Sequence, residues 1–108
     1  MGFTGHENHD ISFDDAAILT KRYRDQMSTG DCKGGYFSKD AILSLLDQDG
    51  CVGIRYYYGL NSSNAQVLVV VGVDKDENDL IGNDFVCIEM SIMCPEHCGN
   101  DDILNSGS

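Results

Sequence analysis

Residues 51–59 read CVGIRYYYG and residues 66–73 read QVLVVVGV, and the change of period at this point decides the fold. In the first run Val52, Ile54, Tyr56 and Tyr58 alternate with Cys51, Gly53, Arg55 and Tyr57, the two-residue repeat of a half-buried strand. The second run is β-branched almost throughout, as expected of a central strand covered on both faces. Between them Asn61, Ser62, Ser63 and Asn64 make a turn. After a longer acidic connection over residues 74–84, residues 85–93 (FVCIEMSIM) alternate again, with Val86, Ile88, Met90 and Ile92 on one side and Cys87, Glu89 and Ser91 on the other. Three consecutive strands with short links predict an antiparallel meander, because parallel neighbours need crossovers of a dozen or more residues.

Upstream of residue 50 the period is helical. Ser12 can cap a helix, Asp14 and Asp15 lie in its first turn, and Lys21, Arg22 and Arg24 fall toward its end, where the helix dipole favours cations. Phe13, Ala16, Ala17, Thr20, Tyr23 and Met27 follow the three-and-four spacing of one buried stripe, so a helix is predicted over residues 12–27. Residues 28–35 (STGDCKGG) read as a loop. Ser38 then caps a second helix, with Phe37 and Ile42 placed as a hydrophobic staple, Ala41, Ile42, Leu45 and Leu46 as its core face, and Gly50 as a left-handed stop. The expected fold class is therefore α+β: two amino-terminal helices covering one face of a three-stranded meander. Residues 1–11 read as a loose arm, residues 12–98 as one domain and residues 99–108 as a polar tail.

The chain has 108 residues, 42% of them hydrophobic, enough for one core. Seven basic against 18 acidic residues leave a net charge of −11, which argues against nucleic acid and anionic membrane as partners, since both are bound by neutralising phosphate charge. No basic segment followed by an apolar run opens the chain, and the Val-rich stretch is far shorter than the ~20 residues of a bilayer span. His6 occupies the position where a myristoylation signal wants Ser or Thr. A cytoplasmic, soluble protein is expected. Five cysteines, an odd number, would leave one over in a fully paired framework, so mainly reduced thiols are expected.

The sharpest chemical segment is Cys94-Pro95-Glu96-His97-Cys98. Thiolate and imidazole are preferred zinc ligands, yet Cys94, His97 and Cys98 supply at most three donors and no second two-cysteine knuckle provides the fourth. The spacing is one residue longer than the CxxC whose geometry lowers a thiol pKa, and the two cysteines of such a turn can also close a disulfide. Plain thiols, a disulfide and a metal site all stay open, in that order. His6, Glu7, His9 and Asp10 offer ligands in a flexible arm that binds metal only opportunistically. Residues 74–79 (DKDEND) resemble a calcium loop until its sixth position, Asp79 in place of glycine, and its twelfth, Phe85 in place of glutamate; a solvated hairpin connection accounts for them better.

Arg55 and Tyr57 point to the face opposite Tyr56 and Tyr58, and stand beside Glu89 if the last strand is adjacent to theirs and in register. Arginine and tyrosine are enriched at binding hot spots, so Arg55, Tyr57 and Glu89 form a candidate contact surface. The alternative is a cross-strand Arg55–Glu89 pair that only stabilises the sheet. Nucleophile elbows, phosphate loops and dinucleotide fingerprints are absent from the sequence, and an enzyme ranks last.

The segments GCVGIRYY (residues 50–57), LVVVGVD (68–74), NDL (78–80), CPEHC (94–98) and LNS (104–106) together resemble a group of small uncharacterised proteins of Bacteroidetes bacteria. The resemblance spans roughly residues 13–106; it implies a bacterial host and brings no activity. Expected from all of this is an accessory module that binds another protein, or itself, through an exposed sheet face or edge. The alternative is a metal-binding or thiol-redox module built on Cys94, His97 and Cys98, with zinc as its cofactor.

Overall fold

Ser12 and Ser38 each turn a side-chain oxygen onto a free backbone amide, that of Asp15 at 3.0 Å and that of Ala41 at 3.1 Å, and a helix starts immediately after each. The computed structural model describes residues 2–27, 32–90, 92–94 and 98–105. Helix α1 runs over Phe13–Gln26 and α2 over Lys39–Leu46. The strands are β1 (Gly34–Tyr36), β2 (Gly53–Leu60), β3 (Gln66–Val73), β4 (Cys87–Glu89) and β5 (Ile92–Cys94). The class is α+β, as expected, with an antiparallel three-stranded sheet in the order β2-β3-β4 and a separate antiparallel pair, β1-β5.

The third predicted strand is not continuous. Cys87–Glu89 pairs with β3, and Met90 still donates to the Leu68 carbonyl at 2.8 Å, but Ile92–Cys94 pairs instead with Gly34–Tyr36. The alternating pattern runs unbroken across residues 85–93 because period reports which side a residue faces, not which strand it pairs with. The partner, β1, lies in a stretch read as loop: Gly34 and Gly35 weaken a strand in isolation, and only the pairing to β5 makes one there.

This switch divides the chain into two compact units, Met1–Glu7 with Phe37–Ser91, and Asn8–Tyr36 with Ile92–Ser108, where the sequence reading drew a single domain over residues 12–98. The first unit holds α2 and the three-stranded sheet. Its α2 lies against β2 and β3, with Leu45 fully buried and Val70, Leu80 and Met90 nearly so. Gly72 is the close approach in that core: a Cβ there would lie 2.8 Å from Gln48 Nε2 and 3.0 Å from Cys51 Sγ. Gly50 is left-handed (φ 77°), as expected, but α2 has already ended at Leu46 and Gly50 serves the following turn. Residues 2–7, expected as a loose arm, carry contacts: Phe3 donates its amide to the Lys75 carbonyl at 2.8 Å, and the Glu7 carboxylate accepts the Thr4 and Gly5 amides. Hydrogen bonding to the charged form, from the Thr4 amide first and Glu7's own amide next, with the Gly5 amide a smaller contributor, pulls the Glu7 carboxyl down to about 2.

The second unit holds α1, so one helix and not two belongs with the meander. The expected stripe on α1 holds at Ala16, Ala17, Thr20 and Met27, which are half-buried, and fails at Phe13 and Tyr23, which are exposed; Arg24 is buried instead, donating Nη1 to the Leu104 carbonyl at 2.6 Å. Lys33 Nζ donates to the Asn105 carbonyl at 2.7 Å. Leu104 and Asn105 of the polar tail are thus held by two cations through main-chain oxygens, a contact that side-chain polarity alone does not foreshadow.

Candidate functional site

The register of the sheet dictates where the candidate residues stand. Arg55 lies opposite Val71 and Val71 opposite Cys87, while Tyr57 lies opposite Val69 and Val69 opposite Glu89. Directly paired residues share a face, so Arg55, Tyr57, Val69, Val71, Cys87 and Glu89 are all on one side of the sheet. Glu89 therefore joins the candidate face, but β3 stands between β4 and β2, so the condition for a side-by-side Arg55–Glu89 pair, adjacent strands, is not met.

Arg55 finds another carboxylate. The turn after β3 closes through Asp74, whose Oδ1 accepts the amides of Asp76 and Asn78 at 2.9 Å each, with Asp74 N–H donating to the Asn78 carbonyl; this is the hairpin connection preferred above to a calcium loop. It returns the chain so that Asp79 bridges Val73 on the side of β3 away from β2. Arg55 Nη1 reaches Asp79 Oδ1 at 2.5 Å and also donates to the Glu77 carbonyl at 3.2 Å, and the Tyr57 hydroxyl donates to Asp79 Oδ2. Since Arg55 and Asp79 flank β3 on opposite sides, their contact crosses that strand over the buried Val71 and Val73. The Phe3 ring lies 5.8 Å from the Arg55 guanidinium carbon, in cation–π range.

Each partner shifts the others' protonation. The Tyr57 hydrogen bond, followed by Arg55, holds the Asp79 carboxyl below the ordinary aspartate range. The hydrogen bond to Asp79 raises both the Tyr57 phenol and the Arg55 guanidinium. Sequence reading missed Asp79 because the residues that set its position are backbone amides around Asp74. The usable signal was the Asp-x-Asp-x-Asn spacing, whose first carboxylate can close a tight turn over the next amides.

The edge of the same sheet is the second feature of β2. Met90 and Leu80 donate to the carbonyls of Leu68 and Gly72, which commits the even-numbered residues of β3 to the β4 side. By antiparallel alternation its odd-numbered residues face β2 and pair with Gly53, Arg55, Tyr57 and Gly59. The main-chain groups of Ile54, Tyr56 and Leu60 are then directed outward, along an edge that no strand covers among the described residues. Their side chains are 45%, 56% and 69% exposed. Tyr56 also stacks edge-to-face with Tyr58, ring centroids 5.6 Å apart.

In the second unit, Cys94 and Cys98 form a disulfide, the middle of the three readings left open by the sequence. His97 lies outside the described residues. Among those described, no group of three or more metal-ligating side chains converges, and Cys32, Cys51 and Cys87 are free thiols. No helix of the structure is long and apolar enough to cross a membrane. Comparison with protein-family models, with curated proteins and with solved structures finds no match for this chain.

Proposed function

We propose that this protein is a binding module that takes an extended segment of another protein as an added strand on the outer edge of β2. The observation that carries the reading is the eight-residue edge strand Gly53–Leu60, which combines outward main-chain donors and acceptors with exposed Ile54, Tyr56 and Leu60. A long, exposed, apolar edge is a template for strand addition: main-chain bonds give affinity and alternate side chains give selectivity. The network of Arg55, Tyr57 and Asp79 supports it by bracing β2 against the turn after β3, so that the edge is presented ready-made and binding costs little ordering entropy.

The net charge of −11 selects the occupant. Two copies of this chain repel one another over long range, whereas a segment carrying lysine or arginine between apolar residues is steered in. Glu89, exposed on the same face as Tyr57, adds local negative charge for such a segment. A titration of 15N-labelled protein with a synthetic peptide of alternating valine and lysine tests this. Shifts are expected at the amides of Ile54, Tyr56 and Leu60, together with loss of binding in Tyr56→Pro. Binding that survives Tyr56→Pro but is lost in Arg55→Ala and Tyr57→Ala moves the site to the sheet face. Formation of dimers without peptide makes a second copy the occupant instead.

A thiol-redox role for the carboxy-terminal segment is the second reading, and the Cys94–Cys98 disulfide is the observation that favours it over a zinc site. Zinc would require the reduced pair with His97 and a fourth ligand.

A further inference from the structure

A third cysteine stands beside the Cys94–Cys98 disulfide. In the second unit β1 and β5 pair with Gly34 opposite Cys94, and just ahead of β1 the Lys33 amide donates to the carbonyl of Cys94 itself at 2.8 Å. Cys32 is one peptide bond from that amide. Standard bond lengths put each Cα about 2.4 Å from its end of this hydrogen bond, and with a near-linear bond the Cα atoms of Cys32 and Cys94 are about 5–6 Å apart. Disulfides form over about 4.4–6.8 Å between Cα atoms.

The local chemistry agrees with the distance. Gly34, between them, has no side chain, and the position of its missing Cβ lies 3.9 Å from Cys94 Cβ, so no side chain of Gly34 stands between Cys32 and Cys94. The Cys32 thiol is half-buried and its sulfur lies 3.1 Å from the Gly34 carbonyl. Cys94 is buried and Cys98 exposed, so of the two disulfide sulfurs Cys98 is the one that leaves into water, where its thiolate is hydrated.

We infer that Cys32, Cys94 and Cys98 form a thiol–disulfide exchange site in which Cys32 displaces Cys98. The Cys32 thiol loses its proton to solvent and its thiolate attacks Cys94 Sγ. The Cys94–Cys98 bond breaks, the Cys32–Cys94 bond forms, and Cys98 departs as a thiolate that takes up a proton. One disulfide and one thiol are present before and after, so no oxidant or reductant is consumed. The exchange replaces a five-residue loop by a much longer one, which constrains the unfolded chain more, and it delivers an exposed Cys98 thiol able to form a mixed disulfide with an external thiol. The inference is independent of strand addition at β2, which uses none of these residues.

The test uses the full chain. Wild type and Cys32→Ser are held at mildly alkaline pH with a trace of mercaptoethanol, sampled by iodoacetamide, and mapped by mass spectrometry without reduction. Cys98 of wild type is expected to alkylate at least about tenfold faster than Cys98 of Cys32→Ser, with a Cys32–Cys94 linked peptide appearing in step. Equal alkylation with only the Cys94–Cys98 link present overturns the inference. Cys98→Ser, oxidised with glutathione disulfide, is expected to lose two hydrogens and join Cys32 to Cys94. Retention of both as alkylatable thiols, or pairing no more selective than in urea, overturns it as well.

Discussion

Asp79 ties two side chains of β2 to the turn after β3. Its carboxylate is bonded to Arg55 and Tyr57 at once, and the direction of its shift sets how stability depends on pH. A carboxyl held below its unfolded range binds fewer protons folded than unfolded, so its contribution is complete above about pH 4 and is lost as the pH falls through the folded value. Tyr57 has the opposite sign: its phenol is raised, so its contribution is complete below about pH 10 and fades as the pH rises beyond that. Urea midpoints measured across pH should show a plateau between these limits. Asp79→Asn should make the acidic limb shallower, leaving the part that Glu7 contributes; an unchanged limb would mean the network does not exist in solution. At Gly72 the pressure is steric. Gly72→Ala places a methyl against Gln48, Cys51 and Leu80 and should cost about 1–3 kcal/mol in chemical denaturation.

Caps and periods were legible at the scale of the element because their causes are local. Ser12 and Ser38 start helices through hydrogen bonds three residues long, and β2 and β3 form where strands were predicted, although Ile54, Tyr56 and Tyr58, the apolar side a half-buried β2 was expected to turn inward, are exposed. Ser38→Ala should lower stability by about 1 kcal/mol, with α2 amides the first to gain hydrogen exchange. The break between β4 and β5 was not legible, since strands that change sheets keep their period. Nor was β1, two of whose three residues are glycine. The stripe on α1 was legible at Ala16, Ala17, Thr20 and Met27 and misplaced only at Phe13 and Tyr23, because the long aliphatic stem of Arg24 takes the inward position beside Tyr23. For β2 the alternation makes a sharp contrast. Tyr56→Pro removes an outward donor and should leave the sheet folded, whereas Tyr57→Pro removes a donor from the ladder with β3 and should unfold it, as circular dichroism would register.

For the whole molecule, the sequence placed Arg55, Tyr57 and Glu89 on one face, and the register agrees. Whether Arg55 stands next to Glu89 was left to strand adjacency, which cannot be read from alternation, and β3 separates the two. The cysteine reading was limited in the same way. CPEHC shows that Cys94 and Cys98 are near each other, but only the β1–β5 pairing brings Cys94 to the residues that follow Cys32. The partner proposed above, an extended basic segment, rests on the acidic excess of the chain and the outward main chain of β2.

Amide hydrogen exchange of the free protein along β2 tests that claim most directly. The account predicts fast exchange at Ile54, Tyr56 and Leu60 alternating with protection at Arg55, Tyr57 and Gly59, and slowing of the first three when the valine–lysine peptide is added. Uniform protection along β2 in the free protein would contradict it, because the edge would already be occupied.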